Sequence, residues 1–562
     1  MSTEMASPYG SRPWLRHYDY WVSPHLNYPR RPLTYILDAV AVDLPDRPAT
    51  AFWGAQLTFW QIKERADSLA IALAGLGVAK GDRVGIMLPN CPQYIIAAFG
   101  VLRLGAVIVN INPTYTAREI QIVAGDSGMR LLITLDTLAP LAIDIQPKTA
   151  IGHIIVTSLA EYSAAAAAPP RLDGTVTLAD LVDAPRSSSV PVVPIDSDDI
   201  AVLQYTGGRT TGAPKGAMLT HGNIFTNVIQ TETFMYRSFD RGEPRYLLVI
   251  PYFHIYAFTV GMMKGLWVGA LQILIWKYDV EQVLAAIRDF RPTYFPAVPT
   301  VFVSLLNHPK VAESGLERVR SFNSGGAPCP VEVIEQFERK IGRTLNEGYG
   351  LSETSPVTHT TPQLAVRKPG TIGLPLPDTD IKIVDIETGT RELPIGEAGE
   401  LCISGPQVMK GYWNRPEETQ NALRPDAAGR VWFHTGDVAR LDEDGFTSIV
   451  QRKKDMIIVD GFNVYPSDVE AVIYSHPAVR LAAVIGVPHA YHGEAVEAFV
   501  VSKEGWSVTA AELIDFCRSG LAKYKVPREV EVRHNLPMSA VGKILYRVLR
   551  EEYQAAFAGR ER

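Results

Sequence analysis

What this chain has little of narrows the field first. Its cysteines number four in 562 residues, Cys91, Cys329, Cys402 and Cys517, far apart and without CxxC spacing. That pattern suggests neither a zinc site nor a disulfide framework and fits a reducing compartment, so a cytoplasmic setting is expected. The start, "MSTEMASPYGSRPW", lacks a basic segment followed by an apolar core and reads as no secretory signal. No apolar run reaches the roughly 20 clean residues that a bilayer demands. Residues 94–110 are broken by Arg103, and residues 261–276 by Lys264. Peripheral membrane contact and a homodimer both stay open. Charge is not one-sided either: the net −6 gives no global pull toward nucleic acid. A P-loop is also missing, because counting from Gly207 reaches Gly212 and then meets Ala213 where its lysine belongs.

What is present is ordinary globular material, 47% hydrophobic and 20% charged. The length implies roughly two to four folding units. From Thr50 to about Asp136, strand-like runs ("RVGIMLP", "AVIVNIN", "RLLIT") alternate with helical ones ("PQYIIAAFGVLRLG", "AREIQIVAGDSG"). That rhythm predicts βαβ units around a mainly parallel sheet. Residues 163–170 and 185–194 read as surface loop. A second α/β stretch follows from Asp199 to about Asn346, then a turn-rich β region beyond Gly370, then a compact α/β unit after about Asp455. The expected fold is α/β, with two α/β subdomains and a β-rich subdomain in residues 1–451. A small, mobile α/β domain would occupy residues 452–562.

Five segments carry chemistry. "QYTGGRTTGAPKG" (204–216) offers bare backbone N–H groups, hydroxyls and Lys215, which suit phosphate oxygens; a glycine-rich surface turn is the other reading. "NEGYGLSETSP" (346–356) sets Tyr349 between glycines where a planar ring could stack, with Glu353 as a hard ligand and Thr354 as a hydroxyl. A strand-to-helix turn capped by Ser352 competes with that. In "FHTGDVARLDEDGF", Asp437 could take both hydroxyls of a ribose or close an Asx turn on its own backbone. "QRKKDMIIVDGFNVYP" places Arg452, Lys453 and Lys454 before an apolar run, a pattern usual for a solvated face. "LPMSAVGKILYRVLR" sets Lys543 behind a glycine, where a solubilising role competes with a catalytic one.

Together and in this order, the segments closely resemble the adenylate-forming superfamily of acyl-CoA synthetases, luciferases and peptide-synthetase adenylation domains. Its members carry a Y-T-S/G-G-T-T-G-x-P-K-G loop, a Y-G-x-S/T-E-T segment, a Y/F-x-T-G-D turn, a G-R-x-x-D hinge and a terminal G-K lysine motif. The likeness runs from about Pro32 to near the end. It implies that Tyr349 flanks adenine, with Glu347, Gly348 and Gly350 around it and Gly325 and Gly326 of "NSGGAP" opposite. Asp437 would hold the ribose, helped by Arg452. Glu353 would bind Mg²⁺, Thr354 would reach the α-phosphate, and Thr206, Gly207, Gly208, Thr210, Thr211, Gly212 and Lys215 would cover the other phosphates. Lys543 would bridge the attacking carboxylate and the α-phosphate. After acyl-AMP forms, the terminal domain would swing at Lys454, and Gly461, Phe462 and Asn463 would line the CoA path.

Two departures stand out: Arg209 lengthens the glycine loop by one residue, and Gln451 replaces the usual hinge glycine. A solvent bulge of Arg209 is the first expectation, ahead of a pyrophosphate contact or a disturbed cradle. Segments such as "PYFHIYAF", "VPTVF" and "DGFNVYPSDVE" resemble the long-chain fatty acid–CoA ligases most. Phe253, His254, Tyr256 and Val298 would then line the acyl pocket, with fatty acid, ATP and CoA as substrates. The rivals are an aryl- or medium-chain ligase, an acyl-AMP ligase loading a carrier protein, and a relative that binds without catalysing.

Overall fold

The computed structural model describes residues 7–167, 169–183, 189–206, 214–235, 241–452, 455–459, 462–489, 493–539 and 542–560. The expected βαβ rhythm becomes two large sheets. One has seven strands, in the order Val176–Thr177, His153–Thr157, Leu131–Leu135, Arg83–Met87, Val107–Asn110, Ile200–Thr206 and Lys215–Thr220. All neighbours are parallel except the last pair, a hairpin that flanks the glycine loop. The other has nine strands, with Leu345–Gly350, Ser321–Gly325, Tyr294–Ala297, Arg245–Leu248, Leu271–Leu274 and Pro48–Phe52 running parallel in its middle.

Helix Pro92–Arg103 is buried along its whole length up to Leu102, which is why residues 94–110 read as one apolar run. Pro92 opens it, at a position where a missing N–H goes unnoticed. Arg103 ends it between two carboxylates: Asp38 lies 2.5 Å from one guanidinium nitrogen and Asp67 2.7 Å from another. The second apolar run contains a feature that periodicity gives no sign of. Ala257–Met263 is π-helical and continues as the α-helical turn Lys264–Trp267 before strand Leu271–Leu274.

The β-rich region is a five-stranded antiparallel sheet that ends with Thr447–Arg452. Strands Ile457–Val459, Phe462–Val464, Val479–His489, Gly493–Ser502 and Glu529–Val532 form a separate sheet, packed on helices Pro466–Tyr474 and Ala510–Gly520. The change of sheet falls between Arg452 and Ile457, so Arg452 still belongs to the first side.

Candidate active site

The ends of the two large sheets, the β-rich sheet and the terminal unit enclose one cavity of about 850 Å³. Its walls include Thr206 and Lys215 from the loop hairpin, Gly325, Gly326 and Tyr349 from the large sheet, and Lys543 from near the chain's end. Parallel strands deliver their loops to one edge, and ligands in such folds bind there.

Tyr349 is half-buried, and its phenol donates to Asp437 Oδ2 at 2.5 Å across 88 residues of sequence. Asp437 is 2% exposed. Its carboxylate therefore reaches Tyr349, while its own N–H is satisfied by Thr435 Oγ1 at 3.1 Å. Arg452 lies directly opposite Asp437 in the strand register, so the sheet sets both at the same level. Gly350 has no alternative: a Cβ there would fall 1.9 Å from Pro356 O. Glu353 lines the cavity, and its Oε1 accepts from Tyr412 Oη at 2.9 Å. Burial first, then the Glu353 charge, push the Tyr412 phenol well up and keep it a donor. Lys215 Nζ stands 5.3 Å over the Tyr412 ring. Sequence reasoning missed Tyr412; a lone tyrosine in "MKGYWN" has no motif to betray it.

Lys543 sits on a turn whose ends bind each other. Ser539 N–H donates to Lys543 O at 2.7 Å, and Lys543 N–H to Ser539 Oγ at 3.0 Å. Thr300 Oγ1, in the first turn of helix Pro299–Leu306, ties the lysine turn down by donating to Gly542 O at 3.3 Å. The lysine side chain then passes Gly326 so closely that a Cβ there would touch its Cε at 3.5 Å. His254 faces the same cavity. Its Nδ1 accepts the Tyr256 N–H at 3.2 Å, which leaves the ring proton on Nε2. Burial first, and the Lys543 charge second, lower its pKa to about 3, so the ring is neutral at pH 7. A buried polar network holds this turn in place. Asn90 Oδ1 accepts the Tyr252 N–H at 2.7 Å, and Gln204 Nε2 donates to Phe253 O at 3.1 Å. Asn110 Nδ2 then donates to Gln204 Oε1 at 3.0 Å, and Tyr94 Oη to Asn110 Oδ1 at 2.5 Å.

Several of the expected site residues do not line this cavity. Thr354 is wholly buried and does not line the cavity. Its hydroxyl donates to Pro356 O and accepts the Leu351 N–H, so it closes the 351–356 turn. Glu347 lines a separate small cleft with Arg367 and Thr361 rather than the main cavity. Burial raises its pKa to about 8, so it is neutral there. Val298 packs under the lysine turn, 3.1 Å from where a Gly542 Cβ would be, and does not form the cavity wall. Phe253, His254 and Tyr256 do line the cavity, and Gly325 is overlaid by the Tyr256 ring. Gly207, Gly208, Arg209, Thr210, Thr211 and Gly212 lie outside the described residues, as do Lys454 and Gly461. Phe462 and Asn463 belong to strand Phe462–Val464, whose partner is Ile457–Val459.

With the geometry in hand, comparison with known proteins decides the family. The model of the AMP-binding enzyme family matches residues 37–413, and that of its C-terminal domain matches residues 468–543. The chain belongs to the AMP-binding enzyme family. A long-chain-fatty-acid–CoA ligase of Bacillus subtilis is 43% identical over 556 residues, covering 96% of this chain and 98% of that protein. A Salmonella typhimurium protein of the same description is 38% identical over 558 residues, with the same coverage. Among solved structures, ATP-bound MatB from Rhodopseudomonas palustris superposes with a TM-score of 0.82 at 30% identity, covering 93% of this chain and 99% of that one. The AMP-binding architecture, a large N-terminal domain followed by a small C-terminal one, is thus the one seen here.

Proposed function

We propose that this AMP-binding enzyme is a long-chain fatty acid–CoA ligase. It activates the acid with ATP as acyl-AMP, releases pyrophosphate, and transfers the acyl group to CoA with loss of AMP. The observation that carries the reading is the meeting of Lys543, Tyr349 and Lys215 around one cavity, in a chain 43% identical to the Bacillus subtilis ligase. Tyr349 offers a ring face for adenine; Asp437, whose carboxylate accepts from the Tyr349 phenol and does not itself line the cavity, would exchange that bond for the ribose hydroxyls. Lys215 and Thr206 face the polyphosphate.

Lys543 places its cation where the acid's carboxylate attacks the α-phosphate. Both reactants are anions, so a preorganised cation lowers the barrier by electrostatics rather than by proton transfer. Neutral His254 adds no second charge, and its Nε2–H can orient a carboxylate oxygen. Glu353 suits Mg²⁺, which takes one or two carboxylate oxygens and completes its shell with phosphate oxygens and water. Among the described residues no group of three His, Cys, Asp or Glu offers a cage of protein ligands alone. When bound, the ion would neutralise phosphate charge. The thioester step follows rotation of residues 452–562 about Lys454, with Gly461–Asn463 lining the thiol path. Homodimerisation and peripheral membrane contact remain part of the proposal. No helix among the described residues is long and apolar enough to cross a membrane.

The test is release of AMP and pyrophosphate from purified protein with ATP, Mg²⁺ and CoA across acetate, octanoate, palmitate, oleate and 4-coumarate. CoA-dependent turnover highest with palmitate or oleate is the expected result. Preference for 4-coumarate or octanoate would replace the long-chain reading, and acyl-AMP that accumulates despite CoA would point to a carrier-loading ligase.

A further inference from the structure

The two cations that interrupt the apolar runs have opposite fates. Arg103 meets two carboxylates, as described above. Lys264 is 1% exposed, yet its Nζ meets the Met235 Sδ at 3.1 Å and stands over the Tyr294 ring at 4.5 Å and the Tyr246 ring at 5.7 Å. Glu232 acts on it only as a charge at a distance. Ring faces and a thioether are weak partners for a buried ammonium, whose desolvation is expensive. Burial accordingly lowers its pKa to about 7, with Glu232 opposing the drop. Beside it, the Tyr294 hydroxyl is buried and has no hydrogen-bond partner among the described residues. Buried polar groups left so are uncommon and call for an explanation.

Both residues line the main cavity. From His254, next to Lys543, the helical run carries Tyr256, Val260 and Lys264 along the cavity wall. Ten residues of mostly helical chain separate His254 from Lys264. The Lys543 charge acts on His254, whereas among the described residues the charge that acts on Lys264 is that of Glu232. Lys264 thus stands at the end of the cavity remote from the phosphate chemistry. The π-helical segment Ala257–Met263 immediately precedes it, and such insertions re-aim side chains and cluster at functional sites.

We propose that Lys264 and Tyr294 form a polar cap at the far end of the acyl pocket, and that the preferred acids carry an oxygen acceptor, a hydroxyl or a second carboxylate, at the distal end of the alkyl chain. The reasoning rests on the ligase reading for the identity of the pocket. An oxygenated end would satisfy the orphaned phenol and give the amine a partner; a methyl end leaves both unpaired. Sites built on buried polar groups discriminate strongly against ligands that fail to pair them.

The experiment compares hexadecanoate, ω-hydroxyhexadecanoate and hexadecanedioate, and the matching dodecanoate set, in turnover and in direct binding by calorimetry. Wild-type protein should favour an oxygenated acid over its plain counterpart of equal length by at least about tenfold in kcat/KM. Lys264→Met and Tyr294→Phe should each shrink or invert that preference and leave the KM for ATP unchanged. The dioate and hydroxy arms tell whether the amine pairs with an anion or a neutral acceptor suffices. The wild-type comparison stands even if Lys264→Met fails to fold. Equal rates for plain and oxygenated acids, or a preference that survives both substitutions, would overturn the polar cap while leaving the ligase reading intact. Binding preference without turnover would instead sink the ligase reading and keep the cap.

Discussion

At the scale of single residues, the site works by placing charges that the local sequence would not bring together. Lys543 reaches the cavity because its turn is pinned by Ser539 and Thr300. Removing that cation should raise the barrier only for the step in which two anions meet. Lys543→Ala is expected to slow acyl-AMP formation by about 10²–10³-fold, the usual effect of losing one preorganised electrostatic contact. Thioester formation from supplied acyl-AMP should stay near wild type, as the lysine has no part in it. Separate assays of the two half-reactions check this; equal losses in both would show that the lysine only shapes the domain. The motif pattern made Lys543, Glu353 and Asp437 legible as candidates because each stands in a recurring string. It gave no sign that Thr354 and Glu347 turn away from this cavity, since a motif fixes residue type and spacing but not the face to which a side chain turns.

At the scale of elements, the turn that carries Phe253 and His254 hangs on the buried amides of Asn90, Asn110 and Gln204. Gln204→Leu would leave Phe253 O and the Asn110 amide unpaired in the interior, which costs about 1–3 kcal/mol. The expected result is lower stability together with a raised KM for the acid and little change in the KM for ATP. Denaturant titration and a two-substrate kinetic analysis would measure it. Gly350→Ala tests the neighbouring turn. A methyl 1.9 Å from Pro356 O forces the strand end to move, and a loss of about 2–3 kcal/mol is expected. The strands and helices that frame these turns were legible in the sequence, because alternation and 3.6-residue periodicity are local properties. The π-helical segment was not, since its wider backbone hydrogen-bond pattern leaves no mark on residue spacing; a long-range bond, from Gln272 Nε2 to Met262 O at 3.3 Å, takes up one of its carbonyls.

At the scale of the whole molecule, buried titratable groups set the pH dependence of stability. Burial lowers His221 to about 4, and His254 and His359 to about 3. Unfolded, each would bind a proton below about 6.5, so all three withdraw stability as pH falls through that value. Burial raises Glu347 to about 8 and Glu470 to about 7. These stay protonated in the fold while the unfolded chain ionises above about 4.5, so they withdraw stability as pH rises from there to their folded values. Between about 4.5 and 6.5 the three imidazoles outnumber the two carboxyls, and between about 6.5 and 7 the carboxyls act unopposed. From about 7 upward the Lys264 amine, neutral in the fold but protonated in the unfolded chain up to about 10.5, restores stability as pH rises and offsets Glu347. The apparent Tm should therefore rise with pH to about 6.5, dip slightly and level off between about pH 7 and 8. Calorimetry from pH 4 to 8 checks this, and Lys264→Met should turn the plateau into a falling limb. A wild-type Tm that falls steeply between pH 7 and 8 would contradict it.

By itself, the sequence determined the family, the rhythm of the sheets, the order of the functional segments and the residue types able to handle phosphate and carboxylate. All of these follow from short-range spacing, which backbone geometry converts directly into strands, helices and turns. Only the tertiary structure decided which groups meet: Tyr349 with Asp437, Lys543 with Gly326, Glu353 with Tyr412. It also turned Thr354 and Glu347 away from the cavity and buried Lys264 against rings instead of carboxylates. Those outcomes depend on how separate sheets pack and exclude water, so each side chain's partner and dielectric come from residues far away in the chain.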